Sequence, residues 1–464
     1  MYARFVRDVL FPLQEWVKGH PTIRILREME AADRFSKSEL EQTQREKLQV
    51  FIAYCFAHVP YVRARMQEAG ISPSQIRGAA DLARLPLMRK ADVRANREKL
   101  RSDVAGKLSE IATGGSTGEP LKCDLSKRRI ASRVACRERI SRWWGVSVGE
   151  PEFALWGSPV ELSNQDRARA IRDRLFATRL LPAFEMDDGT ISRYIDLIER
   201  RGCRQLFGYP SAFYLLCLHA QKHGRTLRDA GVRVVFVTGE VLLPHQRELI
   251  SQTFHCPVAD GYGGRDSGFI AHECPRGGMH IMADATIVEV IDSNGTNVAS
   301  GELGEIVVTD LYSEEAPFLR YATGDMGILS GADCPCGRPL PLLEKIEGRA
   351  NDLVVTPDGR NINSLALIYP VREIGGIEQF RIRQKAANRF HMEVVKNKDF
   401  RCDNEDRIRE RWAKLLRSPV EVTFAYVPRL RVERSGKFRH VISEINGEHR
   451  TEGARELVDP GKPC

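Results

Sequence analysis

Residues 111–120, Ile-Ala-Thr-Gly-Gly-Ser-Thr-Gly-Glu-Pro, concentrate anion-binding chemistry in one short run. Gly114, Gly115 and Gly118 permit positive φ and close backbone approach, so successive N–H groups can converge on an anion. Thr113, Ser116 and Thr117 add hydroxyl donors, and Glu119 is the one carboxylate nearby. No Gly-Lys-Ser/Thr follows, so the run is not a Walker-type loop. Composition alone describes a flexible turn equally well. Three later segments supply what a nucleotide loop would need. Asp260-Gly261-Tyr262-Gly263-Gly264-Arg265-Asp266 sets a flat aromatic among glycines, with a carboxylate four residues on. Tyr262 can stack on a base and Asp266 can hold Mg²⁺ through oxygen. Tyr321-Ala322-Thr323-Gly324-Asp325 offers a second loop carboxylate, Asp325, suited to ribose hydroxyls. Ser435-Gly436-Lys437 puts a lysine on a turn, where its charge could meet a reacting carboxylate and phosphate.

These segments need elements to position them. A chain of 464 residues is too long for one small core and implies two or three domains. Residues 1 to about 105 read as helical: Leu40 to Met66 carries apolar residues at three-to-four spacing, and another helix begins near Arg89-Lys90. From 106 to 349, β-rich runs alternate with helical patterns. Val232 to Val237 reads as a buried strand, Pro244 to Phe254 as a helix and Glu305 to Thr309 as a strand. That alternation predicts an α/β core with ligand-binding loops at strand ends. From 350 to 445 the texture is that of a small α+β domain: a hairpin start at Leu353 to Val355, strands at Phe390 to Val395 and Val420 to Val427, and a helix from Asn404 to Leu416. Residues 446–464 read as a loose polar tail.

Bulk properties are those of an ordinary globular protein, with 42% hydrophobic and 28% charged residues. The net charge of +8 is modest, and no nucleic-acid-reading module accompanies it, so a nucleic-acid partner is not expected. No apolar run reaches membrane-spanning length. The segment Met1 to His20 has the spacing of an amphipathic helix, and its charges argue against a signal peptide. Eleven cysteines with no export signal point to reduced thiols in a cytoplasm.

Taken in order, the segments resemble those of the adenylate-forming superfamily, the acyl-CoA synthetases and adenylation domains, from about residue 40 to about 440. Residues 113–120 resemble its phosphate loop, Gly239-Glu240 its adenine-side turn and Tyr262 to Asp266 its aromatic-plus-acid motif. Tyr321 to Asp325 is similar to its ribose-binding Tyr-Arg-Thr-Gly-Asp, with Ala322 in place of the arginine. Gly348-Arg349-Ala350-Asn351-Asp352 resembles the hinge motif and Lys437 the adenylation lysine. Within the superfamily the chain is most similar to the phenylacetate–CoA ligase branch, through His58-Val59-Pro60-Tyr61, Leu85-Pro86-Leu87, Gly208-Tyr209-Pro210-Ser211, Glu273-Cys274 and Cys334-Pro335-Cys336-Gly337-Arg338. Two positions depart from the pattern: Asp266 stands where glutamate is usual, and Asn351 where the hinge commonly has Asp or Lys.

The resemblance implies a large α/β domain with a helical start and a small C-terminal lid. It implies ATP, Mg²⁺ and coenzyme A as co-reactants, with Thr113 to Gly118, Gly239, Glu240, Asp260, Gly261, Tyr262, Asp325 and Arg349 binding and Lys437 and Asp266 catalytic. The expected reaction activates a small carboxylic acid, aromatic by resemblance, to an acyl-adenylate and then transfers it to CoA. Pocket walls are expected from Trp156, Tyr209 and Phe213. The rival readings are transfer of acyl or AMP to a non-CoA acceptor, and a nucleotide-binding scaffold with impaired turnover. The branch also allows a homodimer through the helical N-terminus. Cys274, His280, Cys334 and Cys336 would close a tetrahedral structural zinc site joining two loops, with His272 as a substitute ligand. The arginines from Arg128 to Arg142 read as a solvated helical face or a contact for CoA phosphates.

Overall fold

The computed structural model describes residues 1–112, 121–156, 167–183, 186–349, 353–358, 361–363, 365–372, 374–401, 403–428, 430 and 441–445. Thr113 to Gly118, Asn351 and Lys437 lie outside the described residues, and at Arg349 the description covers the backbone alone. The chain forms two compact units that meet in sequence at residues 346 and 347.

The helical start follows from its caps. Ser36 accepts from the Glu39 N–H at 3.2 Å while Glu39 accepts from the Ser36 N–H at 2.7 Å, a capping box that opens Lys37–His58. Pro60 biases Val59 to extended backbone (φ −113°, ψ 104°), so the apolar pattern read from Leu40 to Met66 is two helices, Lys37–His58 and Pro60–Glu68. Ahead of them, Tyr2–Phe5, Val6–Leu10 and Phe11–Val17 run on as one helical segment that buries Val6, Phe11 and Glu15.

Among the described residues thirteen strands belong to the first unit, the last of them running past its end. β1 (Ser109–Ala112) and β2 (Lys122–Leu125) form a hairpin on their own. The remaining eleven make one sheet: β3 (Glu152–Trp156), β4 (Thr178–Pro182), β5 (Gln205–Gly208), β6 (Val234–Thr238), β7 (Val258–Gly264), β8 (Gly268–Glu273), β9 (Met279–Ile281), β10 (Thr286–Ile291), β11 (Leu303–Asp310), β12 (Tyr321–Ser330) and β13 (Leu342–Arg349), in the order β10-β11-β12-β13-β9-β8-β7-β6-β5-β3-β4. β3 to β7 pair in parallel, with helices as crossovers, whereas β7 with β8, β8 with β9, β9 with β13, β10 with β11 and β11 with β12 pair antiparallel. Side-chain alternation sorts the two faces. Val235 and Val237 join Leu206, Phe213 and Ile250 under the helices Asp188–Arg201, Pro210–Lys222 and Pro244–Phe254, whereas Val234, Phe236 and Ala259 pack with Val146 on the other side. Along the strand ends, Thr238 stands opposite Gly261, Gly261 opposite His272 and His272 opposite His280, so the four share one row.

The second unit has its own core. β14 (Leu353–Val355) pairs with β15 (Asn361–Asn363) in a hairpin. β16 (Ile377–Ala386), β17 (Arg389–Lys396), β18 (Glu421–Tyr426) and β19 (Val441–Ser443) make a four-stranded sheet in the order β18-β17-β16-β19. Helix Asn404–Leu416 buries Ile408, Trp412 and Leu416 against Phe390, Met392 and Val422, and the Trp412 indole donates to the Leu367 carbonyl at 3.0 Å.

Candidate nucleotide site and cysteine–histidine cluster

Two segments about sixty residues apart in sequence are interlocked by their tyrosines. The Tyr262 hydroxyl donates to Asp325 Oδ2 at 2.9 Å, and the Tyr321 hydroxyl donates to Asp266 Oδ2 at 2.7 Å. Each motif's phenol thus holds the other motif's carboxylate. Thr323 Oγ1 braces the arrangement, donating to the Ile306 carbonyl at 2.8 Å and accepting the Asp325 N–H at 3.1 Å. Burial alone would push the Asp266 carboxyl up. The Tyr321 hydrogen bond, the charge of Lys90 and backbone N–H groups, that of Ser267 at 3.0 Å among them, outweigh burial and hold it below the usual value. An ionised, oriented oxygen donor at Asp266 fits a hard divalent cation such as Mg²⁺.

The adenine-side turn follows β6. Gly239 has φ +83°, and a Cβ there would stand 3.2 Å from Tyr209 Cε1, so both backbone and space call for glycine. Tyr209 stacks on Trp156 with ring centroids 4.2 Å apart and planes 17° from parallel. Glu240 accepts from the Ser211 N–H at 3.2 Å, tying the turn to the start of helix Pro210–Lys222. Phe213, read from the sequence as a pocket wall, belongs instead to the core on the helical face: it is 1% exposed and meets Phe254 edge-on at 6.5 Å. One turn into the helix, its ring packs on the sheet, where a Cβ on Gly208 would lie 3.0 Å from Phe213 Cε2.

Asp260 sits beside Glu273, whose Oε2 accepts the Asp260 N–H at 2.9 Å. Burial pushes the Asp260 carboxyl up to about 7, with the Glu273 charge adding to the rise and Arg247 opposing it.

Of the arginines after the phosphate-loop segment, Arg129, Arg133 and Arg139 are engaged internally, whereas the side chains of Arg128 and Arg137 remain 43% and 37% exposed. Helix Lys127–Trp143, capped by Ser126, buries Arg129 and Arg139 completely. Arg129 Nε donates to Asp310 at 2.7 Å and its Nη2 to the Asp266 carbonyl at 2.7 Å. Arg133 donates to the carbonyls of Arg265 and Asp266 at 2.6 and 2.8 Å. Arg139 bridges Asp33 and Asp284 at 2.7 and 2.8 Å. Arg129 and Arg133 fasten the turn that carries Asp266. Their basic spacing hides that role, because their partners are acids distant in sequence. Arg320, also passed over in the sequence, is another internal clasp: at φ +51° it donates to Glu289 and to the carbonyls of Leu85 and Gly295.

Cys274, His280, Cys334 and Cys336 converge, with ligand atoms all within 4.8 Å of one another. The Cys274 and Cys334 sulfurs are 3.6 Å apart, and His280 Nε2 is 3.1 Å from Cys336 Sγ. Sulfurs at tetrahedral positions on Zn²⁺ lie about 3.8 Å apart, given Zn–S bonds near 2.3 Å. His280 Nδ1 lies 3.1 Å from the Leu340 carbonyl, which can only accept, so Nδ1 carries the proton and Nε2 presents its lone pair to the cluster. The donor set fits zinc. His272 is not part of it, and leans over Gly261 on the neighbouring strand.

Among known families, the CapK C-terminal domain matches residues 354–444. Curated relatives include a phenylacetate-coenzyme A ligase of Thermus thermophilus, 24% identical and covering 88% of this chain and 97% of that one. Another is protein CapK of Staphylococcus aureus, 21% identical and covering 79% of each chain. Among solved structures, 2-hydroxyisobutyryl-CoA ligase in the postadenylation state shares the fold at a TM-score of 0.73, with 21% identity over 89% of this chain and 91% of the other. ATP-bound MatB of Rhodopseudomonas palustris shares it at 0.52, with 18% identity over 72% and 66%. With the fold and the interlocked motifs in place, the chain is similar along most of its length to the phenylacetate-coenzyme A ligases and shares the fold of 2-hydroxyisobutyryl-CoA ligase.

Proposed function

We propose that the chain is an AMP-forming carboxylate–CoA ligase acting on an aromatic acid. The observation that carries this reading is the crossed tyrosine–aspartate pair, which holds a carboxylate of the β7–β8 turn and one of β12 in fixed orientation. In this reading Tyr262 stacks on adenine, Gly239 and Glu240 border it, Asp325 takes the ribose hydroxyls, and Thr113 to Gly118 take the phosphates. Asp266, ionised, holds Mg²⁺, which when bound offsets phosphate charge. Lys437 stabilises the negative charge that builds as the acid's carboxylate attacks the α-phosphorus and pyrophosphate leaves. The thiol of CoA then attacks the acyl carbon and AMP departs, with Arg349 and Asn351 at the hinge between the two half-reactions. The stacked Trp156 and Tyr209 beside Gly239 support an aromatic acid, as does the name of the phenylacetate ligases. Cys274, His280, Cys334 and Cys336 hold a structural Zn²⁺. The nine described cysteines that form no disulfide suit a cytoplasmic setting, and the exposed Phe5, Val9, Leu13 and Trp16 suit a homodimer.

A second reading is favoured by one observation, the match of residues 354–444 to the CapK C-terminal domain. In it the activated acyl group passes to an acceptor other than CoA.

Pyrophosphate release from ATP–Mg²⁺ across aryl, arylacetic, fatty and amino acids, with and without CoA, tests both. Release that depends on one acid and rises with CoA is the expected result. Acid-dependent release indifferent to CoA selects the second reading, and tight ATP binding with no release for any acid overturns the ligase. Lys437→Ala should abolish adenylate formation while sparing thioester formation from added acyl-adenylate. Equal loss of both half-reactions would refute the role of Lys437.

A further inference from the structure

His272 is 1% exposed, and among the described residues neither of its ring nitrogens meets a hydrogen-bond partner. The other buried histidines are satisfied: His280 by the Leu340 carbonyl and His219 by Ser192. An unpaired buried polar group is costly, and folds retain one where it has other work. The neighbours of His272 offer no polar compensation. Phe236 lies edge-on at 5.9 Å and Phe269 at 6.2 Å.

Its position points to that work. Gly261 immediately precedes Tyr262, and a Cβ on Gly261 would lie 2.3 Å from His272 Nε2. The imidazole therefore occupies the space that a side chain at 261 would fill. Thr238, Gly261 and His272 stand in one row across β6, β7 and β8, at the strand ends where the Gly239 turn and Tyr262 are placed. In parallel register with that row, one residue beyond the paired Leu155 and Gly208, come Trp156 and Tyr209. The row thus carries Trp156 and Tyr209 on one side of Thr238 and Gly261 and the His272 imidazole on the other.

We infer that His272 is a specificity-determining residue whose imidazole meets a hydrogen-bonding substituent of the acid, such as a hydroxyl, remote from its carboxylate. The inference rests on the ligase reading above. A neutral imidazole offers one donor and one acceptor. A hydroxyl is both as well. A second carboxylate only accepts and would leave the ring's acceptor nitrogen unpaired, and an acid with a purely apolar end would leave both nitrogens unpaired.

The test uses the full chain with a non-hydrolysable ATP analogue and pairs of acids that differ by one ring hydroxyl, such as 4-hydroxyphenylacetate and phenylacetate. Binding is read by thermal shift and by ¹⁵N signals of the histidine rings. The hydroxylated member should bind at least about tenfold more tightly, as expected where a site hydrogen-bonds a substrate hydroxyl, and should move one ring signal that His272→Met removes. His272→Met should reverse the preference and raise the melting temperature, while His272→Gln should keep the preference. Equal binding of both members to the native chain, a preference that survives in His272→Met, or a ring signal that no acid moves would overturn the inference. Failure of the ligase reading would look different: acids would bind, with the preference intact, and no pyrophosphate would be released.

Discussion

Asp260 sits where a backbone bond, a like charge and burial compete. Its N–H is held by Glu273, its own Oδ1 accepts the Gly261 N–H at 2.8 Å, and its carboxyl is raised to about 7. The unfolded chain ionises this group near 4. Between those values the folded state holds a proton that the unfolded state has lost, so the contribution to stability is full below about 4 and declines as pH rises through about 7. Asp260→Asn keeps the acceptor and removes the charge. The variant should match the native chain near pH 5 and exceed it at pH 8 by on the order of 2 kcal/mol in urea unfolding. Equal stability at both pH values would show that Asp260 is ionised without penalty. At this scale much of the site was legible: Tyr262, Asp266 and Asp325 do come together, and so do the four residues expected to bind zinc. Which phenol serves which carboxylate was not legible, because a sequence shows motifs singly and the bonds cross between them.

Helix Lys127–Trp143 shows why one element was misread while others were not. Val232 to Val237 and Pro244 to Phe254 declare themselves through apolar content and period, which depend on neighbours in sequence. A run of arginines carries no sign of what it faces. The acids that pair it, Asp33, Asp284 and Asp310, come from three distant segments, and only the fold brings them to the helix. The same limit applies to Phe213, where helical phase set by packing turned an aromatic inward. Arg129 is the most consequential of the arginines, since it joins Asp310 to the turn bearing Asp266 and also lies 4.3 Å over the Phe318 ring. Arg129→Met should cost about 3–5 kcal/mol in denaturant unfolding, because it strands the buried Asp310 charge. Adding Asp310→Leu should recover most of that loss. ATP affinity should fall in the single variant and stay low in the double, since neither restores the bond to the Asp266 carbonyl. Full recovery of ATP binding in the double variant would sever Arg129 from the site.

At the scale of the whole molecule, the described residues form cores with no shared members: one set of clusters in residues 1–346 and a separate cluster around Val354, Phe390 and Trp412. Units with separate cores are free to unfold separately, and a single free energy of unfolding then ceases to describe the chain. Calorimetry should resolve two transitions. The cysteine–histidine cluster lies wholly in the first unit, joining the β8–β9 turn to the loop at Cys334. Metal bound only by the folded state adds to stability by mass action. Protein purified without chelator should carry close to one equivalent of zinc. Stripping it, or Cys336→Ser, should lower one transition by several degrees and leave the other in place. Trp412→Ala, which removes a fully buried indole and its bond to Leu367, should move only the transition that the chelator spares. The two perturbations together assign each transition to its unit. Zinc below about a tenth of an equivalent would refute the metal site while leaving the double transition standing. A chelator effect on both transitions would instead mean that the cluster's influence reaches past the unit that contains it.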